Sequence, residues 1–202
     1  MASARGDVFV SDRARVHKTA HLGRGTRVWA EATIGPDAQL GADCIVGERA
    51  FIDTGVRIGS RCKIQNAALL YAPAVLEDGV FIGPGVILAN DRYPRAITPQ
   101  GEQARAGDWT PEGVRVCHGA SLGAGAVVVA GVEIGAWALV AAGAVVSRTV
   151  PAHALVAGVP ARQIGWVGRS GRRLTEARDG TLLDPLSGEK FRVVEETLEN
   201  LT

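Results

Sequence analysis

A cluster of arginines, four histidines, three cysteines and one long polar segment are the places where this sequence has the residue types for chemistry. Between Val146 and Arg173 stand Arg148, Arg162, Arg169, Arg172 and Arg173 with no acidic residue among them. Over all 202 residues, 22 Lys+Arg and 21 Asp+Glu leave a net charge of +1, so the rest of the chain is net acidic. A basic stretch turned by Gly and Pro is either a solvated end-cap or a surface that recognises phosphate, which the guanidinium fork suits. Residues 89–115 (ANDRYPRAITPQGEQARAGDWTPEGVR) hold three Pro, three Gly and one Trp in a polar background. Ordered loops beyond about 12–15 residues are usually functional. His17 and His21 stand four apart and would share a metal only on a helix. His118 follows the long segment as a turn residue, and His153 lies beside the arginine cluster as a structural one. Cys44, Cys62 and Cys117 are too few for a disulfide scaffold and suit a reducing, cytoplasmic compartment. The charge balance gives no support to nucleic-acid or membrane-surface binding. No apolar run reaches the roughly 18–20 residues of a spanning helix, and MASARGDVFVSD lacks the apolar stretch of a leader.

The elements that must position these groups follow from one periodicity. Val10, Val16, Leu22, Val28, Ile34, Leu40, Val46, Ile52, Ile58, Ile64, Leu70, Leu76, Ile82 and Leu88 are aliphatics six apart without a miss. Four positions after each comes a small or β-branched residue, from Ala14 through Cys44 and Cys62 to Val86. A second register runs Val116, Leu122, Val128, Ile134, Val140 and Val146. Period six turns successive aliphatics 240° apart on an α-helix, which excludes one, but it suits a short strand plus a tight turn. Three such units close a triangular coil of eighteen residues, and the twenty repeats make between six and seven coils joined by parallel ladders. Turns fall at Gly23, Gly35, Gly41, Gly47, Gly59, Gly83, Gly123 and Gly135. Cys44 and Cys62 share a phase and stack as core fillers about 4.8 Å apart. The spacing predicts an all-β chain. Residues 8–150 form the coil, with 89–115 extruded, and residues 151–202 form a small C-terminal cap. In that cap DPLSGE turns a hairpin between TLL and KFRVVEE, and the last acidic residues fray.

The pattern resembles the left-handed parallel β-helix of the hexapeptide-repeat superfamily, and the handedness is an implication of that resemblance. The coil, the extruded loop and the segment AGVPARQIG are similar to the acetyl-CoA-dependent acetyltransferases of that superfamily. RVW at 27–29, RCKIQN at 61–66, LEDGVFIGPGV at 76–86, NDRYPRAIT at 90–98 and ALVAGVPARQIGW at 154–166 resemble the nucleotide-sugar N-acetyltransferases. The resemblance implies a homotrimer with active sites between adjacent coils and acetyl-CoA as co-substrate. The implied acceptor is UDP-2-acetamido-3-amino-2,3-dideoxyglucuronate, in surface-polysaccharide (lipopolysaccharide) precursor synthesis. A dTDP-3-amino-3,6-dideoxyhexose is the alternative, and a non-catalytic scaffold trimer a more distant one. By resemblance Asn90 orients the amine, with Asp91 as the alternative proton acceptor. Gln65, Asn66, Tyr71 and Arg95 meet the nucleotide sugar. Arg162 and Arg148 meet CoA phosphate, and Ala124, Ala130 and Ala142 are small enough to let pantetheine lie along the coil. No metal is implied. With no Cys after residue 117, a zinc-ribbon ending is excluded.

Overall fold

The computed structural model describes residues 3–5, 8–195 and 197–202; of the N-terminal stretch considered above for a leader, positions 1, 2, 6 and 7 lie outside them. The architecture is a parallel β-solenoid whose two-residue strands stack on three flat faces. Among the described residues the first face holds eight parallel levels, from Val8–Val10 to Ala154–Gly158. The second holds seven, from Arg15–Val16 to Val145–Val146, and the third six, from His21–Leu22 to Glu133–Ile134. No helix occurs among the described residues, so none is long and apolar enough to cross a membrane.

The period-six aliphatics point inward. Val28, Val46, Ile64, Ile82, Leu122 and Val140 form one fully buried column, and the small partners, Cys44, Cys62 and Ala120 among them, fill the corners. Cys44 and Cys62 do share a column, and each thiol donates to a carbonyl at 3.1 Å, of Gly59 and Glu77 respectively. Their contact and their burial hold the Cys62 thiol well above the usual range. The turns divide two tasks that the sequence reading had merged. At Gly47 an added Cβ would meet the backbone of the next coil within 2.7 Å, so the glycine is there for close stacking. The left-handed residue of that turn is Arg49, at φ 56°.

Two departures from eighteen residues per coil shape the molecule. Leu88 pairs with Val128, a step of forty that extrudes the long loop and then restores the same face. Beyond Val140 the coil shortens, because Val140 pairs with Val156 and Ile134 bridges to Val150, steps of sixteen. Parallel stacking therefore continues past Val146 and adds a level to the six or seven counted from the register. Ala154–Gly158 then turns back antiparallel into Ala161–Trp166, which closes the stack.

The cap that follows is a four-stranded antiparallel sheet, Thr175–Glu176, Leu182–Leu183, Lys190–Val194 and Thr197–Asn200. The hairpin around DPLSGE is present, with Leu183 opposite Lys190. The last acidic stretch is not frayed: Thr197–Asn200 pairs along Lys190–Val194 through four residues. At the centre of the turn the buried Asp184 carboxylate accepts hydrogen bonds from Ser170 Oγ (2.7 Å) and from the N–H groups of Leu186 (2.9 Å) and Ser187 (3.2 Å). Burial alone would raise its pKa, but these donors outweigh it and hold the group at about 2.

Candidate active site

Stacking sorts the candidate residues onto corners. Leu70, Leu88, Val128 and Val146 lie one above another on the second face. The corner that follows therefore carries Ala72, Asn90, Ala130 and Arg148 at successive levels. The first corner carries Asn66, Ala124 and Ala142, tied level to level by N–H donation from Gly85 to Asn66 and from Gly143 to Ala124. Gln65 precedes Asn66 at that corner, and Tyr71 opens the second, its ring 5.6 Å from that of Phe51. The expected sugar and carrier contacts thus divide between two corners at opposite ends of the second face.

The loop leaves the second corner through a tight neck. Asn90 Nδ2 donates to the Ala72 carbonyl one level below at 2.7 Å, and the Glu112 N–H donates to Asn90 O at 2.9 Å. Arg92 Nε meets Glu112 Oε2 at 3.1 Å while its Nη2 donates to Ala130 O at 2.8 Å. Ala130 is fully buried and its carbonyl is occupied by Arg92, whereas Ala124 and Ala142 are exposed. On its return the loop passes so close to Pro73 that a Cβ at Gly113 would lie 2.4 Å from the Pro73 carbonyl oxygen. Asn90 is therefore fixed by one amide hydrogen while its Oδ1 and second N–H are not spent on Ala72. Asp91 beside it uses Oδ1 to accept the Tyr93 N–H at 2.9 Å, closing a local turn. Sequence reasoning missed Arg92 and Glu112 as the clamp on the neck. Opposite charges twenty positions apart in a loop carry no signal until the chain folds back.

Beyond the neck the loop folds on itself, with Ile97 bridged to Gln103, and encloses a hollow of about 350 Å³. Asp91, Tyr93, Arg95, Thr98, Arg105 and Trp109 are among its walls. Arg95 is exposed, and its Nη1 donates to Pro94 O at 2.9 Å.

The basic cluster divides by use. Arg169 lies 5.8 Å from the Trp137 ring centre and 3.6 Å from Glu189, and Arg173 donates to Ile164 O at 2.7 Å. Those two hold the cap to the coil. Arg148, Arg162 and Arg172 are exposed and make no ion pair among the described residues. Arg162 sits on the returning strand, its Nη1 on Ala161 O at 2.9 Å.

None of the histidines stands at the level of the loop: His17 is on the same corner but four levels below Asn90. His118 stands on the third corner, its N–H on Glu77 Oε2 (2.9 Å) and its ring edge-on to Trp137 at 5.2 Å. His153 packs its ring 5.4 Å from Phe191 and its Nδ1 against Val167 O at 2.9 Å; burial pushes its pKa down. His17 is exposed and paired with Thr19 Oγ1 at 2.9 Å. Among the described residues no group of three or more His, Cys, Asp or Glu is arranged to hold a metal.

The chain is similar to several known proteins. The family model "Hexapeptide repeat of succinyl-transferase" matches residues 32–72 and 113–148, on either side of the loop. The bifunctional protein GlmU of Corynebacterium glutamicum (strain R) is 30% identical over 97 residues, 44% of this chain and 19% of that protein. The chain thus spans about a fifth of the length of the curated relatives it matches. Among solved structures, LpxA, a UDP-N-acetylglucosamine acyltransferase from Bacteroides fragilis 9343, aligns with a TM-score of 0.65 at 14% identity, over 79% of this chain and 61% of that one. That is a likeness of fold. PerB from Caulobacter crescentus, solved with CoA and GDP-perosamine, is 29% identical over 78% of this chain and 57% of that one, with a TM-score of 0.45.

Proposed function

We propose that this solenoid of hexapeptide repeats is an acyltransferase that moves acetyl from acetyl-CoA to the amino group of a nucleotide-linked aminosugar. The observation that carries the reading is the loop opening Asn90-Asp91-Arg92-Tyr93-Pro94-Arg95, extruded from one corner of a succinyl-transferase-type coil with Asn90 anchored at its base. The sequence resemblance of residues 61–66 and 154–166 to nucleotide-sugar N-acetyltransferases supports it further.

A thioester is already activated, so transfer to a neutral amine depends on placement more than on a strong base. The amine nitrogen attacks the thioester carbonyl, the C–N bond forms as the C–S bond breaks, and the ammonium proton ends on the departing thiolate. The products are an amide and free CoA thiol. Asn90 Oδ1 is suited to accept an amine N–H and so orient the lone pair. The free oxygen of Asp91 is the alternative station for the proton. Sugar amines are less basic than lysine, so the reaction does not need a histidine beside Asn90, and His17 on the same corner lies four levels away. Backbone N–H groups at the coil turns are the candidate donors for the oxyanion.

In the same reading Arg148 and Arg162 meet the phosphates of CoA, and Ala124 and Ala142 leave the first corner open to its pantetheine arm. Gln65, Asn66, Tyr71 and Arg95 meet the nucleotide sugar. The chain works as a cytoplasmic homotrimer of left-handed coils, the loop of one copy covering the first corner of the next. The acceptor in this reading is the UDP-linked 3-amino-glucuronate of a surface-polysaccharide precursor.

The test is thiol release from acetyl-CoA against 3-amino and 4-amino sugars carried on UDP or dTDP. Turnover confined to the UDP-3-amino-glucuronate is the expected result. Turnover only on a dTDP-6-deoxy sugar keeps the chemistry and replaces the acceptor. Silence on every sugar, with no CoA binding, leaves a scaffold.

A further inference from the structure

The first coil is an end of the solenoid that its own fold leaves uncovered. Its inward residues Val10, Ala14, Val16, Ala20 and Leu22 are only half-buried, whereas those stacked on them, Val28 to Leu40 in the same register, are at most 4% exposed. They line a hollow of about 500 Å³. The strand Ser3–Arg5 runs beneath Val8–Val10 and closes the first face. Arg15–Val16 and His21–Leu22, among the described residues, pair with the level above alone. Each level donates its N–H groups to carbonyls of the next level up, as His17 does to Ile34 (2.9 Å) and Gly23 to Leu40 (2.8 Å). By that register the carbonyls of Ala14, Val16, Ala20 and Leu22 point out of the open end, two residues apart on each of two faces. Terminal repeats of a solenoid need a polar cap, and a bare strand edge is a template for another chain.

The opposite end carries a matching edge. Thr197–Asn200 is the outermost strand of the cap, which packs on the last coil through Phe191 and His153. The Leu201 N–H donates inward to Lys190 O at 2.8 Å. By the alternation of an antiparallel ladder, the N–H groups of Leu198 and Asn200 therefore face out of the free edge, again two residues apart. Charge is complementary as well. Residues 8–25 hold four Lys or Arg and one acid, and residues 175–202 hold seven acids and three Lys or Arg. Arg15 and Lys18 at one end, and Glu195 and Glu199 at the other, are exposed and make no ion pair among the described residues. Two first coils do not suit one another, because carbonyls would meet carbonyls and cations would meet cations.

We propose that the open first coil is a docking surface for the cap of a second copy of this chain, whose edge strand Thr197–Asn200 adds beneath it as a further strand. Leu201, exposed in the single chain, then comes over the apolar hollow, and Glu195 and Glu199 meet Arg15 and Lys18. Eight levels at about 4.8 Å separate the two ends by roughly 34 Å, so the pairing is between copies and not within one. The contact is heterologous: each copy keeps one free end of each kind, and association continues head to tail where a two-fold contact would close. This surface is independent of the acetyl-transfer reading.

Light scattering of the whole chain over a range of concentrations tests it, with charge reversal at either end. The wild-type average mass is expected to rise with concentration and to fall back in high salt, which screens the exposed pairs. Arg15→Glu/Lys18→Glu and Glu195→Lys/Glu199→Lys are each expected to hold a constant mass. At the highest concentration that mass lies at least about twofold below the wild type's, since one added copy doubles it. Mixing the two variants restores the growth, because the reversed head of one meets the reversed tail of the other, and this recovery shows that both are folded. A wild-type mass that does not rise, growth that survives either reversal, or a mixture that stays small overturns the proposal. Co-sedimentation of the wild type with phosphatidylglycerol vesicles, without growth in their absence, also overturns it and assigns the end to an anionic membrane surface.

Discussion

At the scale of single residues, the bond Asn90 makes to the coil can be told apart by mutation from the chemical role proposed for it. Its Nδ2 bond to Ala72 O ties the loop to the coil, a neutral hydrogen bond worth about 1 kcal/mol. If Asn90 orients the amine as proposed, its loss costs far more, on the order of 10²–10³ in turnover. Asn90→Ala is therefore expected to melt close to the wild type and to lose at least about a hundredfold in kcat; near-normal kcat removes Asn90 from the chemistry. Arg162 offers a cleaner division, because its side chain is exposed and, among the described residues, donates to its neighbour Ala161. Arg162→Ala should raise the KM for acetyl-CoA about tenfold or more and leave that for the sugar unchanged, since a charged hydrogen bond to phosphate is worth roughly 1.5–3 kcal/mol. Equal changes in both constants point to a folding defect instead. NDRYPR was readable as a motif, but its roles were not. Nothing in the string distinguishes Asn90, held by the coil, from Arg92, which clamps the neck, or from Arg95, which the coil does not engage.

At the scale of elements, each coil depends on its neighbours, since a two-residue strand has no stability of its own and gains it only by pairing above and below. Ile64 is fully buried in the middle of the first-face column, between Val46 and Ile82. Ile64→Ala should cost about 2–5 kcal/mol by transfer and cavity terms together, measured by denaturant unfolding. Gly47→Ala is expected to destabilise without making any cavity, because its Cβ would press on the backbone of the next level. The loop obeys different rules. Its attachment rests on Arg92–Glu112, the Glu112 N–H bond to Asn90 O and the close pass of Gly113 over Pro73. Glu112→Gln keeps the size and removes the charge, so it should loosen the neck and raise susceptibility to proteolysis within 92–111 while the coil's melting is unchanged. Protection of the loop equal to the wild type's would show that the neck holds without this charge pair, through Asn90 on Ala72, Arg92 on Ala130 and the backbone contacts.

At the scale of the whole molecule, the cap and the coil meet through His153 and Trp137, with Asp184 fixing the turn beside them, and this junction carries part of the pH dependence. His153 is pushed below its ordinary value first by burial. The neutral ring is the form the fold accepts, so its contribution is complete above about pH 6.5 and declines as pH falls below that. Asp184 is depressed to about 2 because its bonds from Leu186, Ser170 and Ser187 outweigh its burial. Its contribution is present above about pH 4 and is lost as pH falls from there toward 2. Hydrogen exchange across 175–200 should therefore accelerate in two acid steps, the first ahead of any change in the coil. Asp184→Asn should lower the stability of the cap by about 2 kcal/mol at neutral pH and abolish the second step. An unaltered second step would assign it to other carboxylates.

What the sequence determined by itself is the solenoid. Spacing six apart for fourteen residues admits one kind of backbone, and stacked repeats repeat the same physics, so local pattern and global fold coincide. The columns, the buried cysteines and the extruded segment were all legible in that register. The tertiary structure alone decided three things. It set the sixteen-residue closing coil, which hid from a count by sixes. It turned the supposedly frayed end into the edge strand Thr197–Asn200. It divided the candidate contacts between two corners, so that Gln65 and Asn66 stand at one and Asn90 at the other. Loops, caps and corners escape the sequence for one reason: their geometry depends on contacts between residues far apart in the chain, such as Arg92 with Ala130 or Asp184 with Ser170.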